Sequence, residues 1–218
     1  MFPYSAIGLV ESVYEDDDGE RYSSLATGVL IGPDLVFTAA HAVYDVNRHV
    51  WSEEVYFYPG KSGNASGQTP YSSYAYDISI PQSYYDFGKD DWALLVVDED
   101  FSDLGMYGFN IVSNSLLNAT LYSSGYSGDK NGEQWRTSGI VRRIGDNYDE
   151  DNSIMDLEGL YTDYGHSGAP IYNSNFIVFS NYTFGGGYAD GGGRAIDAPL
   201  YSVLYEEYNN SIARNNLS

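Results

Sequence analysis

The sequence predicts an all-β fold, either antiparallel barrels or a sandwich, closed by one C-terminal α-helix. Three observations carry this reading. Short runs rich in Val, Ile, Tyr and Phe recur along the chain and are cut by Gly, Asn, Asp and Pro, the pattern of strands joined by turns. These runs do not alternate with helical patterns, which argues against a βαβ repeat. Tyrosine is abundant, with 23 in 218 residues, and aromatic side chains pack well across paired strands.

The expected elements follow in order. "AIGLVESVYE" (6–15) is a strand, and "DDDGE" (16–20) is its turn. "SLATGVLIG" (24–32) ends at "GPD", and "LVFTAAHAVY" (35–44) follows. "EEVYFYPG" (53–60), "YAYDISIP" (74–81) and "WALLVVDE" (92–99) complete a first set. The acidic, glycine-containing segment "VDEDFSDLGMYGFN" (97–110) is the best boundary, dividing the chain into residues 1–104 and 105–218. A second set holds "ATLYSSGY" (119–126), "EQWRTSGIVRRI" (133–144), "SIMDLEG" (153–159), "APIYN" (169–173) and "NFIVFSNYTF" (175–184). The last segment alone reads as a helix, over about 199–214. It places Leu200, Val203, Leu204, Tyr208 and Ile212 at steps of three and four, and Pro199 suits a first helical position.

Composition narrows the function. At 43% hydrophobic residues the chain can bury a core. It has no cysteine, which removes disulfides and thiolate chemistry. The formal net charge of −21 repels nucleic acid and anionic membranes. No apolar run reaches the length of a membrane span, and "MFPYSAIGLV" does not read as an intact signal peptide. The oxygen-rich runs "YEDDDGE" and "GDNYDEDNS" do not match a calcium-loop spacing, so they read as solvated turns and no metal site is expected.

Three stretches carry chemistry. In "GVLIGPDLVFTAAHAVYD" (28–45) two small alanines leave room for His41 at a strand end, a place for a general base if a carboxylate orients its other nitrogen. In "KDDWALLVVDED" (89–100) Asp91 directly precedes an apolar strand and suits the orienting acid better than its neighbour Asp90. In "YGHSGAP" (164–170) Ser167 sits between glycines. There the backbone can turn sharply, and the amides of Gly165 and Ser167 could receive an oxyanion. No histidine follows His166, which excludes an α/β-hydrolase reading of the serine. His49, in the polar "VNRHV", reads as a surface residue.

"TAAHAV", "DDWALL" and "GHSGAP", in that order over nearly the whole chain, resemble the motifs of the chymotrypsin- and trypsin-like serine proteases. The cysteine-free chain and "SGAPIY" resemble most the bacterial branch that contains the glutamyl endopeptidases. The resemblance implies two six-stranded antiparallel barrels, with His41 and Asp91 from the first and Ser167 from the second. It implies a secreted bacterial endopeptidase that needs no cofactor and acts as a monomer on protein or peptide substrates. An alternative is a catalytically silent member of the fold that binds proteins or glycans. The wall of the specificity pocket would come from Tyr161, Thr162 and Asp163 and from Tyr182, Thr183 and Phe184. Thr162 matches glutamate-specific relatives, but Tyr182 stands where those carry a histidine. Arg194 is then a source of positive charge for the pocket or a solvent-facing residue of a glycine-rich hairpin. His166 replaces the aspartate that digestive members pair with a new N-terminus, and it could be charged and meet an acid.

Overall fold

The computed structural model describes residues 2–16, 18–62, 71–146, 153–186 and 190–216. Strands β1 (Ile7–Glu15), β2 (Arg21–Leu30) and β3 (Leu35–Thr38) lead into a two-stranded side ribbon, β4 (Tyr44–Asp45) and β5 (Val50–Trp51). Then come β6 (Glu54–Pro59), β7 (Ser73–Ser79), the short helix α1 (Gln82–Phe87) and β8 (Ala93–Val97). The order β1-β2-β3-β8-β7-β6 closes into an antiparallel barrel through the β1–β6 pairing.

The second half runs β9 (Gly108–Phe109), β10 (Thr120–Gly125), β11 (Trp135–Asp146), β12 (Ser153–Glu158), β13 (Pro170–Tyr172), β14 (Ile177–Gly185), β15 (Gly191–Ala195) and α2 (Ala198–Asn215). Here β13-β10-β11-β12-β15-β14 forms a second six-membered ring, closed by β13–β14, with β9 added in parallel on β14. Two six-stranded barrels and a C-terminal helix are therefore the architecture, and the sandwich alternative falls.

Local chemistry accounts for the elements. The β1–β2 turn is held by Asp16, whose carboxylate accepts from the amides of Asp18 and Glu20 at 3.0 and 2.8 Å. Strand β6 alternates buried and half-buried residues, the period of a sheet with one face on a core. Val10, Val36, Phe37, Phe57 and Leu95 fill the first barrel. Leu121, Val141, Met155, Leu157 and Ile171 fill the second. The first cluster continues through Tyr172 and Val178 to Leu200 and Leu204, so the barrels and α2 share apolar contact.

Several details differ from the sequence reading. Strand β15, which completes the second barrel, lies in a glycine-rich stretch that no apolar run marks, and β4, β5 and β9 are too short to show a period. The run 35–44 is not one strand. Pairing of β3 with β8 stops at Thr38 opposite Ala93, and residues 40–42 form a single 3₁₀ turn. The His41 N–H finds the Asp91 carboxylate there instead of a ladder partner. Helix α1 was not expected, because six residues are too few to show a helical period; it ends at Gly88 in the left-handed region.

Helix α2 begins one residue earlier than expected. Asp197 is its N-cap, accepting from the Leu200 amide at 3.0 Å, and Pro199 is the second helical residue. Val203, expected on the apolar face, is 38% exposed. Ser211 is buried instead, because the helix crosses the β2–β3 turn where Gly32 leaves space for it. In that turn the buried Asp34 accepts from the Ser211 hydroxyl and takes both nitrogens of the Arg214 fork at 2.8 and 2.9 Å, a strong two-point geometry. The "GPD" turn thus docks the terminal helix on the first barrel.

Candidate active site

The Asp91 carboxylate grips His41 twice. Oδ2 lies 2.6 Å from the ring Nδ1, and Oδ1 accepts from the His41 main-chain N–H at 3.0 Å. The double contact fixes the ring plane and places the proton on Nδ1, which leaves Nε2 as the basic nitrogen. Burial disfavours the charged ring, but the Asp91 charge and hydrogen bond outweigh it, so the His41 pKa lies above the ordinary histidine value. About a third of the His41 side chain is exposed, so the ring still meets the cleft.

Asp91 sits in a tight turn in which the Trp92 amide donates to the Asp90 carbonyl at 2.7 Å, and Asp90 itself is left-handed, with φ 62°. Two groups from the second barrel hold this turn. Asn181 on β14 donates through one nitrogen to the carbonyls of Asp91 (2.9 Å) and Thr38 (3.0 Å), so it clamps the lead-ins to both His41 and Asp91. Arg194 on β15 is 5% exposed and binds Asp90 Oδ1 at 2.6 Å and Asp197 Oδ2 at 2.8 Å. It is therefore neither a solvent-facing residue nor the free charge of a pocket, because both sides of its fork are taken. Asp90 is an anchor rather than an alternative orienting acid.

Ser167 is half-buried and lines the same cavity as His41. Its loop is tied to the first barrel by Thr27. The Thr27 hydroxyl donates to the Gly165 carbonyl at 2.8 Å, and the Thr27 amide donates to the Ser167 carbonyl at 2.7 Å. Both flanking glycines have physical causes. Gly165 has φ +87°, and a Cβ there would lie 2.4 Å from the Tyr126 carbonyl. Gly168 has φ +81°, and a Cβ there would lie 2.2 Å from the Thr38 hydroxyl. Among the described residues, the amides of Gly165 and Ser167 donate to no acceptor, the state required of oxyanion donors.

A second cavity, of about 350 Å³, also borders Ser167 and is walled by Asp163, Tyr164, Tyr182, Thr183 and Gly185. Thr162 lies beneath it, fully buried, and its hydroxyl donates to that of Tyr182. Tyr161 lies to one side, its hydroxyl on Asp129 at 2.8 Å. Phe184 is not on the wall and is 41% exposed. The described wall carries hydroxyl groups and one carboxylate but no cation.

His166 is fully buried and neutral, which corrects the expectation of a charged group meeting an acid. Burial pushes its pKa down to about 3, against a weaker opposing pull from Asp129. The Ser123 hydroxyl lies 2.8 Å from Nε2 and the Ser127 hydroxyl 3.1 Å from Nδ1, so one serine can donate and the other accept. His49 is exposed, its Nδ1 3.1 Å from the Tyr44 hydroxyl. Among the described residues, no group of three His, Cys, Asp or Glu side chains could hold a metal, and residues 147–152 of the second acidic run lie outside them. Among them, too, no helix is long and apolar enough to cross a membrane.

The trypsin-like peptidase domain matches this chain over residues 26–178, which span all three motifs. The chain belongs to the trypsin-like peptidase family. The chain is 29% identical to a glutamyl endopeptidase of Bacillus licheniformis over 181 residues, 80% of the chain and 50% of the relative. It is 26% identical to an extracellular metalloprotease of Bacillus subtilis over 182 residues, 79% of the chain and 53% of the relative. The chain thus spans about half the length of these curated relatives. A solved Glu endopeptidase superposes with a TM-score of 0.78 at 24% identity, covering 96% of the chain and 93% of that structure. At that identity the likeness speaks for the fold.

Proposed function

We propose that the protein is a serine endopeptidase with His41, Asp91 and Ser167 as its catalytic triad. The observation that carries this reading is the Asp91 carboxylate bonded to His41 Nδ1 at 2.6 Å, with Ser167 on the cavity that His41 lines. Nε2 takes the Ser167 proton as Oγ attacks the substrate carbonyl, and Asp91 stabilises the imidazolium that forms. The Gly165 and Ser167 amides receive the oxyanion, each donor contributing about 3 kcal/mol to transition-state stabilisation. His41 then passes its proton to the leaving amine, and water releases the acyl group by the same steps in reverse. Substrates on this reading are proteins or peptides, and no cofactor takes part. The acidic surface, with 31 acidic against 10 basic residues, suits a soluble bacterial enzyme acting outside the cell as a monomer.

The direct test is labelling with a fluorophosphonate probe, which needs an activated serine. Wild-type protein should label on Ser167, and folded Ser167→Ala should not. Folded wild-type protein that resists the probe would favour the catalytically silent alternative.

Preference for an acidic residue before the cut is the finer reading. It is supported by the Thr162–Tyr182 hydroxyl pair, since the Tyr182 hydroxyl, accepting from Thr162, keeps its own proton for a substrate oxygen. Asp163 and the lack of a cation on the described wall weigh against strong selection of charge. Peptides differing only in Glu, Gln, Ala or Phe before the cut decide it. Glu should exceed Gln, and both should exceed Ala and Phe by about tenfold for a buried hydrogen bond; equal cleavage after Glu and Gln would reduce the preference to one for a hydrogen-bonding side chain. Equal cleavage after Ala or Phe would remove the preference.

A further inference from the structure

A large cavity of about 810 Å³ runs from His41, Gly165 and Ser167 along the first barrel, between Leu9, Leu25, Tyr58, Lys61 and Tyr126. It is distinct from the pocket bounded by Tyr182 and Thr183, which His41 does not line. His41 must hand its proton to the leaving amine. His41 also lines a smaller cavity, of about 200 Å³ beside Tyr14 and Tyr84, but Ser167 does not; the cavity that His41 and Ser167 share therefore receives the part of the substrate after the cut.

Lys61 stands out in this cavity. It is only 7% exposed. Its Nζ lies 5.0 Å from the centre of the Tyr58 ring, a cation–π contact that holds the head against a cavity wall. Its carbonyl accepts from the Tyr126 hydroxyl at 3.1 Å, which anchors its backbone across the barrels. Most other basic residues hold carboxylates, Arg194 and Arg214 among them. Lys61 has no carboxylate within ion-pair distance among the described residues, in a chain where acids outnumber bases three to one. The sequence 62–70, which follows it, contains no acid. The one acid on the same cavity, Glu11, accepts from the Tyr58 hydroxyl at 2.9 Å and so sits at the far end of that ring. An ammonium this secluded costs solvation that a partner charge normally repays.

We propose that Lys61 is the recognition point for a carboxylate on the leaving-group side of the substrate, either an acidic side chain after the cut or the chain's own terminal carboxylate. The inference rests on the endopeptidase reading. The apolar walls take the neighbouring side chain, and Lys61 sets the sign of the charge admitted.

The test is a peptide series with one constant acyl half. Glu is compared with Gln at the first, second and third positions after the cut, and a free C-terminus with its amide. The readout is the acid-to-amide ratio of kcat/KM within each protein. In wild type the ratio should be about tenfold or more at one position or at the terminus, as for a hydrogen bond between charged groups. The arm that shows it identifies the source of the carboxylate. Lys61→Met should bring that ratio to about one, and Lys61→Arg should restore most of it. Cleavage without acid preference in wild type, or a ratio unmoved in Lys61→Met, overturns this inference and leaves the triad standing. No cleavage of any peptide by folded protein overturns both.

Discussion

Replacing Asp91 by asparagine is expected to lower kcat/KM by about 10⁴-fold while leaving the fold intact. Asparagine can still accept from the His41 amide, where Oδ1 now does at 3.0 Å. Its NH₂ group, however, donates toward Nδ1 and favours the ring tautomer whose Nε2 carries the proton and cannot act as base. The pH profile should change in a defined direction. Burial opposes charge on His41, and the Asp91 charge and hydrogen bond outweigh it, so the native pKa is raised. His41 must be neutral to accept a proton, so native activity falls as pH drops through that raised value. In Asp91→Asn burial acts unopposed, and the acid limb of the remaining activity should move to lower pH. Kinetics on one peptide from about pH 4 to 9 would check both effects, a window that spans the ordinary histidine pKa. A loss under about tenfold, or an unmoved limb, would mean that Asp91 is not the orienting acid.

Acid should also destabilise the fold through His166. The unfolded chain takes up a proton on this residue near the ordinary histidine pKa of about 6.5. The folded chain refuses it until about pH 3, because the ring is fully buried between two serine hydroxyls. Between those values the unfolded state binds one more proton, so stability is complete above about pH 6.5 and falls by about 1.4 kcal/mol per pH unit below it. Over the whole window the loss is several kcal/mol, a large share of the 5–15 kcal/mol, roughly, that holds a domain folded. Denaturant melts at pH 7, 6, 5 and 4 should show this slope, and His166→Gln should reduce it by about one proton's worth. If the variant does not fold, the ring resonances of the wild-type protein serve instead: those of His166 should not titrate above about pH 4. Titration of His166 near 6.5 would overturn the buried neutral assignment.

For the mechanism, His166 and His41 thus divide along lines that adjacency in the chain conceals. His166 is next to Ser167 but is turned into the second barrel, where Ser123 and Ser127 satisfy it. His41 is remote in sequence yet borders the same cavity as Ser167. The residue before Ser167 is thus an uncharged ring, so that position offers no anion to a cationic partner.

What the sequence determined by itself was local and periodic. Alternating apolar runs and their Gly, Asp and Pro turns determine most of the strands, because a sheet with one buried face needs that pattern; the glycine-rich β15 has no such run and is placed only by its partners β12 and β14. The ordered motifs around His41, Asp91 and Ser167 were legible because each is a short contiguous string. The roles of Thr27, Asn181, Arg194 and Lys61 were not. Thr27 ties the Ser167 loop to the first barrel, and Asn181 clamps the backbones leading to His41 and Asp91. Both look like ordinary strand residues, since their partners lie far away in sequence. Arg194 looked like an exposed hairpin residue or a pocket charge until closure of the second barrel brought it against Asp90 and Asp197. Lys61 shows no motif at all, and only the meeting of the barrels seals it beside the cleft. The reason is the same in each case: periodicity reports which face of a strand is buried, whereas a hydrogen bond between barrels depends on register and docking, which no contiguous stretch of chain encodes.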